Sequence, residues 1–202
     1  FYNSARPVNL DIIGLEAYTE FVIKTFADYS KHIDSEAIEF VYYLFSGNTY
    51  LMQELMKSVF AAVEPDGIAD KDSVMKSLVS MIEKKDQDYR NILNRLNSKK
   101  ERNTLYCIAG EGIAKGLTST RIMKKYDLDN ASSVQNALDN LCDDKLNLAV
   151  KIAKGTYILQ DRLFEFWIAS RGGYLERKIQ NPKERFEKER ELMRSIPDII
   201  AP

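Results

Sequence analysis

Between Ala131 and Leu141 the chain reads "ASSVQNALDNL". Ser132, Ser133, Gln135, Asn136 and Asn140 alternate there with the apolar Val134, Ala137, Leu138 and Leu141. Hydroxyl and amide side chains on one helix face can hydrogen-bond the edges of bases. They can equally bond a protein surface, and a serine or asparagine at the start can cap the helix. Cations that could meet phosphates flank this segment: Arg121, Lys124 and Lys125 before it, Lys151 and Lys154 after it. The segment itself has no lysine or arginine and runs into Asp139, Asp143 and Asp144. Phosphate contacts supply most of the affinity for nucleic acid, so the charge opposes a strong, autonomous DNA reader. Two uses stay open, contact with double-stranded DNA and docking to a protein. Either would draw on Arg121, Lys124, Lys125, Ser133, Gln135, Asn136, Lys151 and Lys154. Charge reversal at Lys124 and Lys125 should abolish the first.

A second group is Gly47, Asn48 and Tyr50 in "FSGNTYLMQEL". Amides at a helix start bind anions, and a tyrosine beside them could hold an adenine or ribose. The alternative is a glycine helix stop followed by a core tyrosine. No other constellation carries chemistry. One histidine, His32, and two cysteines without CxxC spacing, Cys107 and Cys142, predict no metal site and no disulfide. The chain has no GxxxxGK[ST] phosphate loop and no acid, base and nucleophile set, so no catalytic residue and no cofactor are expected within it.

The elements that would position these groups are mostly helical. Apolar residues recur three and four apart through Leu15, Tyr18, Phe21, Val22, Phe26 and Tyr29, then Ala37, Ile38, Val41, Leu44 and Phe45. A third helix follows Asn48 or Thr49, and a long one runs from about Asp70 to Leu96. The pattern restarts near Asn97. Three helices follow, ending near Gly112, near Leu128 and near Cys142. A β-hairpin then turns at Lys154-Gly155, and the helix "RLFEFWIASR" closes the unit. Phe164 and Trp167 are expected in its core. This order is that of a winged helix-turn-helix.

The fold is therefore mainly α. A helical, lid-like bundle (1–96) is followed by a winged helix-turn-helix with a small β-hairpin (97–170) and a charged helical tail (171–202). The bundle has 10 basic and 15 acidic residues and the second unit 11 and 9, so neither is a basic nucleic-acid magnet. The tail, with 8 basic and 6 acidic residues, reads as a solvated helix or a contact with another subunit. No apolar run approaches the ~18 residues of a membrane span, and the free thiols suit the cytoplasm. A start at Phe1 suggests a fragment.

Taken with "FY" at the start and "VNLDII", the segments "FSGNTYLMQEL", "LTSTRIMKKYDLDNASSVQNALDNL" and "GTYILQDRLFEFWI" resemble the carboxy-terminal half of an AAA+ or STAND-type P-loop ATPase. The group concerned is the archaeal and bacterial one related to origin-recognition ATPases. The resemblance implies a lid that packs on an upstream nucleotide-binding domain, which would hold ATP and magnesium and make the full-length protein an ATPase. At the lid-helix end Tyr50 stands where many relatives have an arginine, and the proline expected near Thr49 is missing. Sensing of the γ-phosphate by this helix is not implied.

Overall fold

The computed structural model describes residues 12–96 and 98–194, and the "FY" and "VNLD" motifs lie outside them. The chain divides into two compact units, one up to Ser77 and one from Leu78.

In the first unit, α1 (Leu15–Ala27), β1 (His32–Ile33), α2 (Ser35–Leu44), α3 (Thr49–Ala62), β2 (Ile68–Ala69) and the start of α4 (Lys71–Lys84) follow in order. The expected stripe of α2 is buried throughout, against Tyr18, Val22 and Phe26 of α1 and Met52, Leu55 and Val59 of α3. Each buried Val, Leu, Ile, Phe or Met side chain among them contributes roughly 1.5–3 kcal/mol. Phe21 and Tyr29, expected inward, are exposed. Phe21 borders an open apolar groove between α1 and α3, and Tyr29 sets its ring edge-on against Phe60, 5.4 Å away. His32 lies in β1. The two short strands are parallel, His32 opposite Ile68.

The long helix expected over 70–96 is two helices. Lys85, near φ −94° and ψ 1°, separates α4 from α5 (Asp86–Arg95). The second unit continues with α6 (Lys99–Glu111), β3 (Ala114–Lys115), α7 (Thr120–Lys125), α8 (Ala131–Cys142), β4 (Ala149–Ala153), β5 (Thr156–Leu159) and α9 (Arg162–Arg171). The sheet has three strands in the order β3-β5-β4, both pairs antiparallel. The hairpin was expected; β3 was not.

The sequence placed the unit boundary at 96/97, but α5 is built into the second unit. The Tyr89 ring lies 4.9 Å from Phe164 and 5.7 Å from Trp167. Its hydroxyl donates to Asp161, which caps α9 through the amides of Leu163 and Phe164. Asp86 accepts from the Trp167 indole at 2.9 Å and pairs with Arg171. Phe164 and Trp167 are core, as expected.

The tail is docked. After α10 (Leu175–Lys178) comes α11 (Pro182–Arg194), which Pro182 starts; proline suits a first helical position. Glu165 is fully buried on α9, where every residue from Leu163 to Ala169 is buried, and a carboxylate there needs partners. Arg162 (3.1 Å), Lys178 (2.8 Å) and Arg185 supply them, and Glu189 of α11 bonds Arg162 and Arg185 in turn. Burial raises the Glu165 carboxyl, and the Arg162 and Lys178 charges pull against that rise. Lys178 also donates to the carbonyls of Ala109 and Gly110, and Arg185 to that of Gly112. These cations thus cap the negative end of α6.

Candidate functional site

The candidate face is built on α8. Asn130 caps it by accepting from the Ser133 amide at 2.9 Å; the serines that could have capped it do not. Val134, Ala137, Leu138 and Leu141 are buried, and α8 packs on α6. Ser132, Gln135, Asn136, Asp139 and Asn140 are exposed.

Two polar groups of the segment are spent on holding α8 in place. The Ser133 hydroxyl accepts from Lys100 at 3.2 Å, and Lys100 pairs with Asp129 at 2.8 Å. Asn140 donates to Glu101 at 3.0 Å, whose other oxygen closes a capping box with Ser98. The Gln135 amide donates to Asp139 at 2.8 Å. Ser133 is therefore a positioning group, Gln135 is engaged by Asp139 and by Tyr157 of β5, and Asn136 is exposed.

The cations also separate. Lys125 pairs with Glu111 at 2.7 Å and lies over the Tyr126 ring. Burial raises the Glu111 carboxyl, but hydrogen bonds from Lys125 and Tyr126 outweigh it and hold the group below its usual value. Lys125 is thus an internal clamp. Arg121 and Lys124 are exposed on α7, and Lys151 and Lys154 on β4 and its turn. β3 adds Lys115, which the sequence reading missed, opposite Thr156 of β5. A signal was present: "IAKG" occurs at 113–116 and again at 152–155. In both copies the glycine has a φ of +65°, and the Gly116 amide donates to the Gly155 carbonyl at 3.3 Å. Cys107 is buried and its thiol pushed up to about 12 by burial, so it is no nucleophile at neutral pH. Both cysteines are free.

In the first unit Gly47 ends α2 with φ +75°, and a β-carbon there would meet Ile12 at 2.2 Å. Asn48 caps α3 by accepting from the Leu51 amide at 3.1 Å. Tyr50 is 67% exposed and is not a core residue. The glycine stop and the cap account for Gly47 and Asn48; only Tyr50 stands free of the fold.

Among the described residues no group of three or more His, Cys, Asp or Glu side chains could hold a metal ion, and no helix is long and apolar enough to cross a membrane. A family model described as a probable winged helix domain matches residues 87–170. The match begins within α5 and ends in α9. No curated protein and no solved structure gives a match.

Proposed function

We propose that the winged helix is a protein-docking module that presents α8, α7 and the three-stranded wing to a partner. One observation carries this reading: the exposed face of α8 has no cation, and Ser133 and Asn140 are engaged by Lys100 and Glu101 of α6. A helix meant to enter a major groove needs base-reading side chains free and phosphates neutralised nearby. On α8 only Ser132 and Asn136 remain free to read, and Asp139, Asp143 and Asp144 would repel phosphates.

A second reading, duplex DNA binding, is favoured by five cations exposed on β3, α7 and the wing, Lys115, Arg121, Lys124, Lys151 and Lys154. If all five met phosphates, affinity would fall about 500-fold between 50 and 200 mM salt, at a slope of about 0.9 per contact. Anisotropy of a labelled duplex across that salt range separates the two readings. Arg121→Glu with Lys124→Glu is the cleaner control, because Lys125 holds Glu111.

The wider proposal is that this chain is the non-catalytic carboxy-terminal region of a P-loop ATPase. Its first unit would pack as a lid on an upstream domain that binds ATP and magnesium, and nucleotide state would set exposure of the docking face. The order of motifs supports this, together with the helical unit that precedes the winged helix. A GxxxxGK[ST] loop encoded before Phe1 is the expected finding, and its absence contradicts the ATPase assignment.

A further inference from the structure

Two cavities in the second unit share one side chain, Tyr174, and differ in chemistry. The first, about 360 Å³, is walled by Tyr106, Tyr126, Trp167 and Tyr174 over Leu93 and Ile168. The second, about 300 Å³, is lined by Arg177, Lys178, Arg185 and Lys188, with Glu111 and Glu184 as its acids. Each is at the lower end of the ~300–1,000 Å³ usual for ligand pockets.

The junction between them is built. Tyr174 presses on Gly172, where a β-carbon would lie 2.4 Å from the ring, and Tyr126 presses on Gly110 in the same way. The Arg177 guanidinium lies over the Tyr174 ring at 5.6 Å, which places a cation where the aromatic wall ends. Tyr126 donates to Glu111, and Lys125 pairs with the same carboxylate. That acid is therefore neutralised where it borders the basic cavity. Lys178 and Arg185 are bound to Glu165 and to carbonyls of the α6 end, so they supply fixed field. Arg177 and Lys188 are exposed and can reach a ligand.

We infer that the two cavities form one nucleotide site, the base against the aromatic wall and the phosphate against Arg177 and Lys188. Aromatic faces accept any base, and adjoining cations hold the phosphate; this pairing marks sites for nucleotides and single strands. A free nucleotide and a nucleotide within a single strand offer the same chemistry, and the experiment distinguishes them. A duplex keeps its bases stacked and does not fit. The site shares no residue with the exposed cations of α7 and the wing, so it stands or falls apart from the docking proposal.

Trp167 is the chain's one tryptophan and lines the aromatic cavity, so its emission reports the site. The chain is titrated with ADP, adenosine, pyrophosphate, a short oligothymidylate and a duplex of the same length. The expected result is a saturable change with ADP or oligothymidylate, and binding at least about tenfold weaker for adenosine and pyrophosphate, a factor that each 1.4 kcal/mol of lost contact produces. Equal affinity for ADP and the oligomer identifies a free nucleotide as the ligand; much tighter binding of the oligomer identifies a single strand. Arg177→Glu with Lys188→Glu, and separately Tyr106→Ala, should each weaken binding at least about tenfold. All three side chains are exposed, and far-UV circular dichroism verifies folding. The proposal is overturned if no ligand changes the emission, if pyrophosphate binds as well as ADP, or if the duplex matches the single strand. It is also overturned if binding survives the substitutions.

Discussion

Glu165 shows what a single residue can demand of a fold. It sits between Phe164 and Phe166 on a helix buried on all sides, and Arg162, Lys178 and Arg185 converge on it. Breaking a buried ion group by removing one partner typically costs about 3–5 kcal/mol, because the remaining charges stay buried. Glu165→Ala should therefore lower the unfolding free energy by about that much, measured by urea denaturation. Lys125→Ala, at a half-exposed pair, should cost under about 1 kcal/mol. Asp86 gives a pH signature. Hydrogen bonds from Arg171, then Arg90 and Trp167, hold its carboxyl well below the usual carboxylate range. A depressed folded pKa means that the stabilisation is present above the unfolded value of about 3.9 and fades as pH falls below it. Asp86→Asn should thus lower the urea midpoint at pH 7 and narrow its difference from wild type by pH 3.

At the scale of elements, what the sequence made legible was periodicity. The stripes of α2 and α8 have three- and four-residue spacing and are buried as read. The hairpin declared itself by alternation around Lys154-Gly155. β3 was illegible because two residues carry no alternation, and only the repeated "IAKG" hinted at it. The break at Lys85 was hidden because the apolar spacing runs through it from Ile82 to Tyr89. At the candidate face, residue types were readable but partners were not. Nothing local says that Ser133 bonds Lys100, thirty-three residues away, or that Asn130 is the cap. Asn130→Ala should cost about 1 kcal/mol, whereas Ser132→Ala should change stability by under about 0.5 kcal/mol. Thermal unfolding of the two variants compares them. Gly155→Ala should cost about 1–2 kcal/mol from the left-handed backbone alone, since a β-carbon there meets nothing within 4 Å.

For the molecule as a whole, the tail is where charge pattern misled. A run of alternating acids and bases reads as solvated, yet Lys178, Arg185 and Glu189 reach back to α9 and to the end of α6. A chain ending at Tyr174 would leave Glu165 with Arg162 alone. Its unfolding midpoint should fall clearly below that of the full chain. An unchanged midpoint would mean that the network does not form. The winged helix, by contrast, was legible as an order of elements, and the family match over 87–170 agrees with that order. Its use depends on charge that the fold has already partitioned: Lys99, Lys100 and Lys125 are paired with acids of the same unit, and Lys115, Arg121, Lys124, Lys151 and Lys154 are exposed on β3, α7 and the wing. The most direct test of the docking account is anisotropy of a labelled duplex with the 202-residue chain, taken from low to physiological salt. The account predicts no binding at micromolar chain even at low salt. Binding that falls steeply with salt and disappears on Arg121→Glu with Lys124→Glu would contradict it and make the winged helix a DNA contact.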